Sequence, residues 1–313
     1  QGRAINNSFA VLRDSAGNVL MKLETMDVFR LKEYGWMPPV PFKVKAADGI
    51  TDLYGVMWRP FDLDPNKKYP VISYVYPGPQ SEPVPKQFFV IRNERVHNVP
   101  IAQLGFVVVT VGQRGGSPLR PKWYHNFGYK NARDYPLADN KAAIENLANR
   151  YPFMDISRVG IYGRSGGGFM STAAILKYPD FYDAAFSSCG NHDNNIYYYT
   201  WGEIHYGVEE VLETLKESEK KRKKKDKKKG KNTSPEEETK DKEKGEDKDK
   251  GKKEKDTEEK KTVFKAKFPT NQELAKNLKG KLMLIHGEID NNVHPANTMR
   301  MVDALIKAGK RFD

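Results

Sequence analysis

Apolar positions follow three different periods along this chain. Phe9 to Asp14 and Val19 to Glu24 read as two short strands around the turn Ser15-Ala16-Gly17-Asn18. Val28 to Tyr34 suits a short linking helix, ended by Pro38, Pro39 and Pro41. Phe42 to Ala47 and Leu53 to Trp58 alternate as a hairpin around Asp48-Gly49. Val71 to Tyr76 and Phe106 to Val111 are unbroken apolar, β-branched runs, the pattern of strands buried on both faces of a parallel sheet. Further short strands follow at Val159 to Tyr162, Ala184 to Ser188 and Leu282 to His286. Helical spacing covers Leu137 to Leu147, Phe169 to Leu176 and Ala296 to Ala308, the last with Met299, Val302, Leu305 and Ile306 as its apolar side. Strands alternating with helices predict a doubly wound, mostly parallel α/β domain over residues 41–313. Arg311-Phe312-Asp313 reads as the start of one more strand, so the domain is expected to stop short of its last strand.

One segment has no apolar period at all. Residues 216–262 hold 21 Lys/Arg and 15 Asp/Glu, so half of the chain's net charge of +12 lies there. Such a tract cannot bury enough surface to offset its ordering entropy, and a solvated, disordered Lys/Glu-rich insertion is expected, helical at most near its start. An anion-binding arm is the other reading, with Lys220 to Lys225 its most basic part. The remaining fold is only mildly basic, and no nucleic-acid partner is expected. No run of about 18 apolar residues occurs, so no membrane span is expected. Cys189 is the one cysteine, which rules out an internal disulfide. The six histidines show no Cys/His pattern with zinc spacing, and no metal or cofactor is expected.

Candidate chemistry begins at Gly163-Arg164-Ser165-Gly166-Gly167, a G-x-S-x-G between a buried strand and a helix. A serine on that turn is lifted clear of the sheet, and the glycines two places either side make room for the helix. The helix N-terminus then offers amides to a developing oxyanion. The segment fits neither the P-loop nor the dinucleotide-binding pattern. A glycine-rich turn whose serine caps the helix remains the plainer alternative. On this fold the triad acid follows the nucleophile on a later strand end. Asp290 meets that requirement, on the loop after Leu282 to His286, although it or Asn291 could instead cap the helix starting near Pro295. A base histidine must come after the acid. His294 is only four residues on and is read as loop structure, which places the base beyond residue 313.

Three segments, Gly163-Arg-Ser-Gly-Gly-Gly168, His286-Gly-Glu-Ile-Asp-Asn-Asn-Val-His294 and Val75-Tyr-Pro-Gly-Pro79, occur in the order of a known family. Together they resemble the prolyl oligopeptidase family of serine peptidases, its dipeptidyl peptidase IV-like branch above all. The resemblance implies an α/β-hydrolase domain with Ser165 as nucleophile and Asp290 as acid. It also implies Tyr76 and the Gly166 amide as oxyanion donors, with Asn292 and Val293 beside the substrate. It makes residues 1–40 the end of a β-propeller and a linker. Tyr198, Tyr199 and Trp201 stand where the family has an aromatic wall for the substrate, but the register departs from its Trp-Glu-Tyr-Tyr pattern, reading His192-Asp-Asn-Asn195.

These readings converge on a serine hydrolase acting on peptides, whose isolated fragment is nearly inert for lack of a base. An esterase on the same fold and a non-catalytic binding protein are the rival readings. The resemblance leaves room for a homodimer of the full-length protein and points to a secreted or periplasmic setting.

Overall fold

The computed structural model describes residues 9–78, 81–85, 98–131, 133–214, 260–265 and 267–313. It divides into two compact units, residues 1–207 with 266–313, and residues 208–265. In the larger unit β1 (Phe9–Arg13) and β2 (Val19–Thr25) form an antiparallel hairpin, followed by the short helix α1 (Phe29–Glu33). Phe9, Leu20 and Leu23 on that hairpin are exposed. Next come β3 (Val40–Lys45), β4 (Asp52–Trp58), β5 (Tyr69–Tyr74), α2 (Asn98–Gln103) and β6 (Val107–Val111). After them lie α3 (Lys122–His125), α4 (Leu137–Arg150), β7 (Met154–Arg164), α5 (Gly166–Lys177), β8 (Ala184–Ser188) and α6 (Tyr199–Tyr206). The smaller unit is a hairpin of β9 (Glu209–Thr214) and β10 (Lys260–Lys265), and β11 (Lys281–Ile285) and α7 (Ala296–Lys307) complete the larger one.

Seven strands make the main sheet in the order β11-β8-β7-β5-β6-β4-β3. β5, β6, β7, β8 and β11 run parallel, while β3 and β4 add an antiparallel edge. This is the mostly parallel α/β sheet the element pattern predicts, in the α/β-hydrolase arrangement the resemblance implies. The strand pleat sends Val107, Val109 and Val111 into one core and Val108 into another, and separates Met57 from Trp58 in the same way. On the first face α4, α5 and α7 bring Ile144, Leu147, Met170, Ala174, Met301 and Leu305 against the sheet. Each such buried Ile, Leu or Met side chain contributes about 1.5–3 kcal/mol relative to exposure. On the second face α2 covers β4 and β6. Beyond it an apolar groove of about 700 Å³ runs over Ile72, Phe186 and Met283.

Several expectations need correction. The apolar side of α7 is Met301 and Leu305, both fully buried, while Met299 and Ile306 face solvent. Asn297 and Thr298 take the buried first turn instead, Asn297 Oδ1 accepting the Asp193 amide at 3.0 Å and Thr298 bonding a histidine ring described below. Residues 260–262, assigned by sequence to the charged insertion, belong to β10. They are held by pairing, with Lys260 opposite Thr214 and Lys261 opposite Glu213. Residues 215–259, where the rest of that insertion falls, lie outside the described residues. At the other end, Asp313 donates its amide to Leu282 O at 2.9 Å and accepts from the Leu284 amide at 2.7 Å, the bonds of a parallel neighbour on β11. Among the described residues no helix is long and apolar enough to cross a membrane.

Candidate active site

The sheet's topology selects one place for chemistry. From β5 the chain steps to β6 on one side, and β7, β8 and β11 then extend the sheet on the other. Carboxyl ends that diverge in this way leave a crevice between β5 and β7. Tyr76 lies two residues past β5, and Ser165 directly follows β7.

Ser165 sits at φ 55 and ψ −121, a left-handed conformation that a side-chain-bearing residue avoids unless its surroundings enforce it. The enforcement is visible. Its amide donates to Ser188 O at 2.8 Å, and its carbonyl accepts the Phe169 amide at 2.9 Å, opening α5. A Cβ on Gly163 would lie 2.5 Å from Val75 O, and one on Gly167 only 2.2 Å from the same atom. The turn therefore presses against the backbone beside Tyr76, and glycine is required at both positions. The partly exposed hydroxyl stands at the N-terminus of a twelve-residue helix. Gly166 is the first residue of that helix, where the aligned dipoles and free amides favour negative charge.

The acid loop meets this turn through β8. Cys189, next after Ser188, donates its amide to Ile285 O at 2.7 Å, and its sulfur lies within 4.8 Å of Asp290. Asp290 Oδ1 accepts the amides of Asn292 and Val293, both at 2.9 Å, while Oδ2 lies 3.7 Å from His286 Nε2. Burial works to raise the Asp290 pKa, but those amides, the Cys189 thiol and His286 outweigh it and hold the carboxyl below its ordinary value. His286 staples the loop, with Nε2 2.7 Å from Val293 O and Nδ1 2.6 Å from Thr298 Oγ1. His294 lies in the loop before α7 and accepts the Ala296 amide on Nδ1 at 3.1 Å. Among the described residues no histidine is hydrogen-bonded to Ser165. His192 is fully buried behind the turn, with Nδ1 3.1 Å from Asn271 Nδ2, and burial with the neighbouring His286 pushes it down to about 3.

Three aromatic residues, one just before α6 and the others at its start, pack together beside the Asp290 loop. Tyr197, which the sequence reading passed over, donates to Asn292 Oδ1 at 3.1 Å and interacts electrostatically with Tyr76 and Asp290. Its phenol is raised by burial first, then by Tyr198, Tyr76 and Asp290. Edge-to-face contacts join it to Tyr198 at 4.9 Å and Trp201 at 5.5 Å between centroids. Tyr198 also reaches Asn291 O at 3.4 Å. Tyr199 is 54% exposed on α6 and joins no stacked pair among the described residues. Val293 is 1% exposed and donates its amide to Asp290 Oδ1, while Asn292 stays at the surface. A 3.6-residue period would have flagged none of this, because Tyr197 precedes the helix.

Comparison with known proteins decides the family. The chain matches the Prolyl oligopeptidase family over residues 94–242 and 237–313, most of its length. The chain belongs to the prolyl oligopeptidase family. Human dipeptidyl peptidase 8 is 28% identical over 295 residues, covering 89% of this chain and 25% of the human protein. Dipeptidyl-aminopeptidase B of Aspergillus niger is 35% identical over 143 residues, 44% of this chain and 15% of that protein. In fold, the dipeptidyl peptidase 4 of Porphyromonas gingivalis superposes with a TM-score of 0.70 over 99% of this chain and 36% of its own, at 22% identity. The chain thus spans about a quarter of the length of the human relative it matches. These prolyl oligopeptidase relatives agree with the dipeptidyl peptidase IV-like branch that the motifs suggested.

Proposed function

We propose that this chain is the catalytic domain of a serine peptidase that cleaves peptides through an acyl-enzyme on Ser165. The observation that carries the reading is the strained serine at φ 55, bonded to the strand end whose next residue, Cys189, has its sulfur within 4.8 Å of Asp290. In this scheme Ser165 Oγ attacks the scissile carbonyl and a histidine base accepts its proton. Asp290 orients that histidine and stabilises its charged form. The oxyanion is met by the Tyr76 hydroxyl and the Gly166 amide. The C–N bond then breaks, the amine leaves with the histidine's proton, and water hydrolyses the acyl-enzyme. Tyr197, Tyr198 and Trp201 form the flat wall for the residue before the cut, beside Asn292.

The relatives' names make dipeptide-releasing substrates the first to try. The exposed apolar side chains of the β1–β2 hairpin support its assignment to a further β domain of the parent. The test is turnover of dipeptidyl p-nitroanilides by the full-length parent, with short acyl esters as the comparison. Ser165→Ala should lower kcat about 10⁶-fold and abolish fluorophosphonate labelling. Undiminished peptidase activity in that variant refutes the assignment, and turnover of esters alone moves the reading to an esterase.

A further inference from the structure

The acid loop brings to Asp290 two further groups, Cys189 and His286, that peptide hydrolysis does not call for. Cys189, His286 and Asp290 come from the ends of β8 and β11 and the loop beyond, and their ligand atoms all lie within 4.8 Å of one another. His286 Nε2 and Asp290 Oδ2 are already 3.7 Å apart, with only 7% and 17% of their side chains exposed. A tetrahedral Zn²⁺ with bonds of about 2.0–2.3 Å sets its ligands about 3.5 Å apart, so the three need only small shifts to share one ion. Thiolate, imidazole and carboxylate together suit Zn²⁺ better than Mg²⁺ or Ca²⁺.

We propose that Cys189 Sγ, His286 Nε2 and Asp290 form a binding site for Zn²⁺ or a similar divalent transition metal, with water as fourth ligand, and that metal there silences the enzyme. His286 is prepared for the change. At 2.7 Å from Val293 O, Nε2 carries the proton in the metal-free protein, and Thr298 Oγ1 donates to Nδ1. When Nε2 turns to the metal its proton moves to Nδ1, and the same hydroxyl accepts it. Thr298 is then the outer partner that orients a ligating histidine. The Cys189 thiol releases its proton to solvent on binding, and the thiolate takes the metal. The inhibitory part rests on the proposed role of Asp290, because a carboxylate holding a metal cannot also orient the base.

The experiment is a Co²⁺ titration of the 313-residue chain in chelator-free, reducing-agent-free buffer. Cys189 is the only thiol, so thiolate-to-cobalt charge-transfer absorption reports this site alone. The expected result is a saturating band at one ion per chain, displaced by Zn²⁺ and absent in Cys189→Ser. His286→Gln and Asp290→Asn should each weaken binding at least tenfold, and Thr298→Val about 10–100-fold. Circular dichroism checks that each variant is folded. No band at millimolar Co²⁺, or a band unchanged in folded His286→Gln and Asp290→Asn, overturns the site. In the full-length parent Zn²⁺ should inhibit turnover, and Cys189→Ser should raise the inhibitory concentration at least tenfold. A cobalt band in the chain with no zinc inhibition of the parent overturns the role given to Asp290 and leaves the site standing.

Discussion

Asp290 receives two backbone amides on Oδ1 and turns Oδ2 toward His286. Its orientation is therefore set by the loop's own backbone, and its charge is held by neighbours that favour the ionised form. Replacing it by Asn keeps the shape but loses the charge that steadies a protonated base. Asp290→Asn in the parent should lower kcat about 10⁴-fold with KM little changed. Steady-state kinetics on a dipeptidyl p-nitroanilide would measure this, and a pure KM effect would count against the acid role. Asp290 was legible as a strand-end carboxylate after the nucleophile. Its contact with Cys189 was not, because 101 positions separate the two in the sequence and only the β8–β11 pairing joins them. Tyr197 was missed for a similar reason. It lies between a 3₁₀ turn and α6, where no period marks a buried side.

At the scale of elements, the turn between β7 and α5 was the most readable part of the chain. Strand, glycines and helix all point to one geometry there, and Val75 O shows why no Cβ fits. Gly167→Ala must push that carbonyl or the helix aside, and overpacking of this kind costs about 1–3 kcal/mol. A thermal melt of the chain should show a clear loss, and an unchanged melting temperature would mean the contact is softer than described. The buried parallel strands were legible as apolar runs. β9 and β10 were not, since Glu and Lys dominate both strands and resemble the charged tract they border. Their pairing sets Lys261 opposite Glu213 and Lys265 opposite Glu209, with Val211 opposite Val263, so the charges that obscured the strands also match across them. The short helices α2 and α3 carry too few turns to display a period.

For the molecule as a whole, the site lies where the sheet changes direction, and its foundations are buried behind it. His192 is one of them. Its folded pKa is about 3 against an ordinary 6.5, so the unfolded chain binds a proton that the folded chain refuses. The sign follows directly. This contribution to stability is complete above pH 6.5 and is lost as pH falls from there toward 3. Urea unfolding midpoints should therefore drop between pH 6.5 and 4.5, above the range of ordinary carboxylates. In His192→Gln that slope should flatten, and an unaltered slope would assign the effect elsewhere.

Because Thr214 sits opposite Lys260, the two ends of the charged tract meet as partners in one ladder. Whatever lies between enters and leaves at a single doorway. The length of chain threaded through it has only a logarithmic effect on the entropy of closing that hairpin. This makes the position a natural splice point. A short Asn-Gly turn, a fluorescent protein or an affinity tag placed there would leave the Thr214–Lys260 end of the ladder paired as it is.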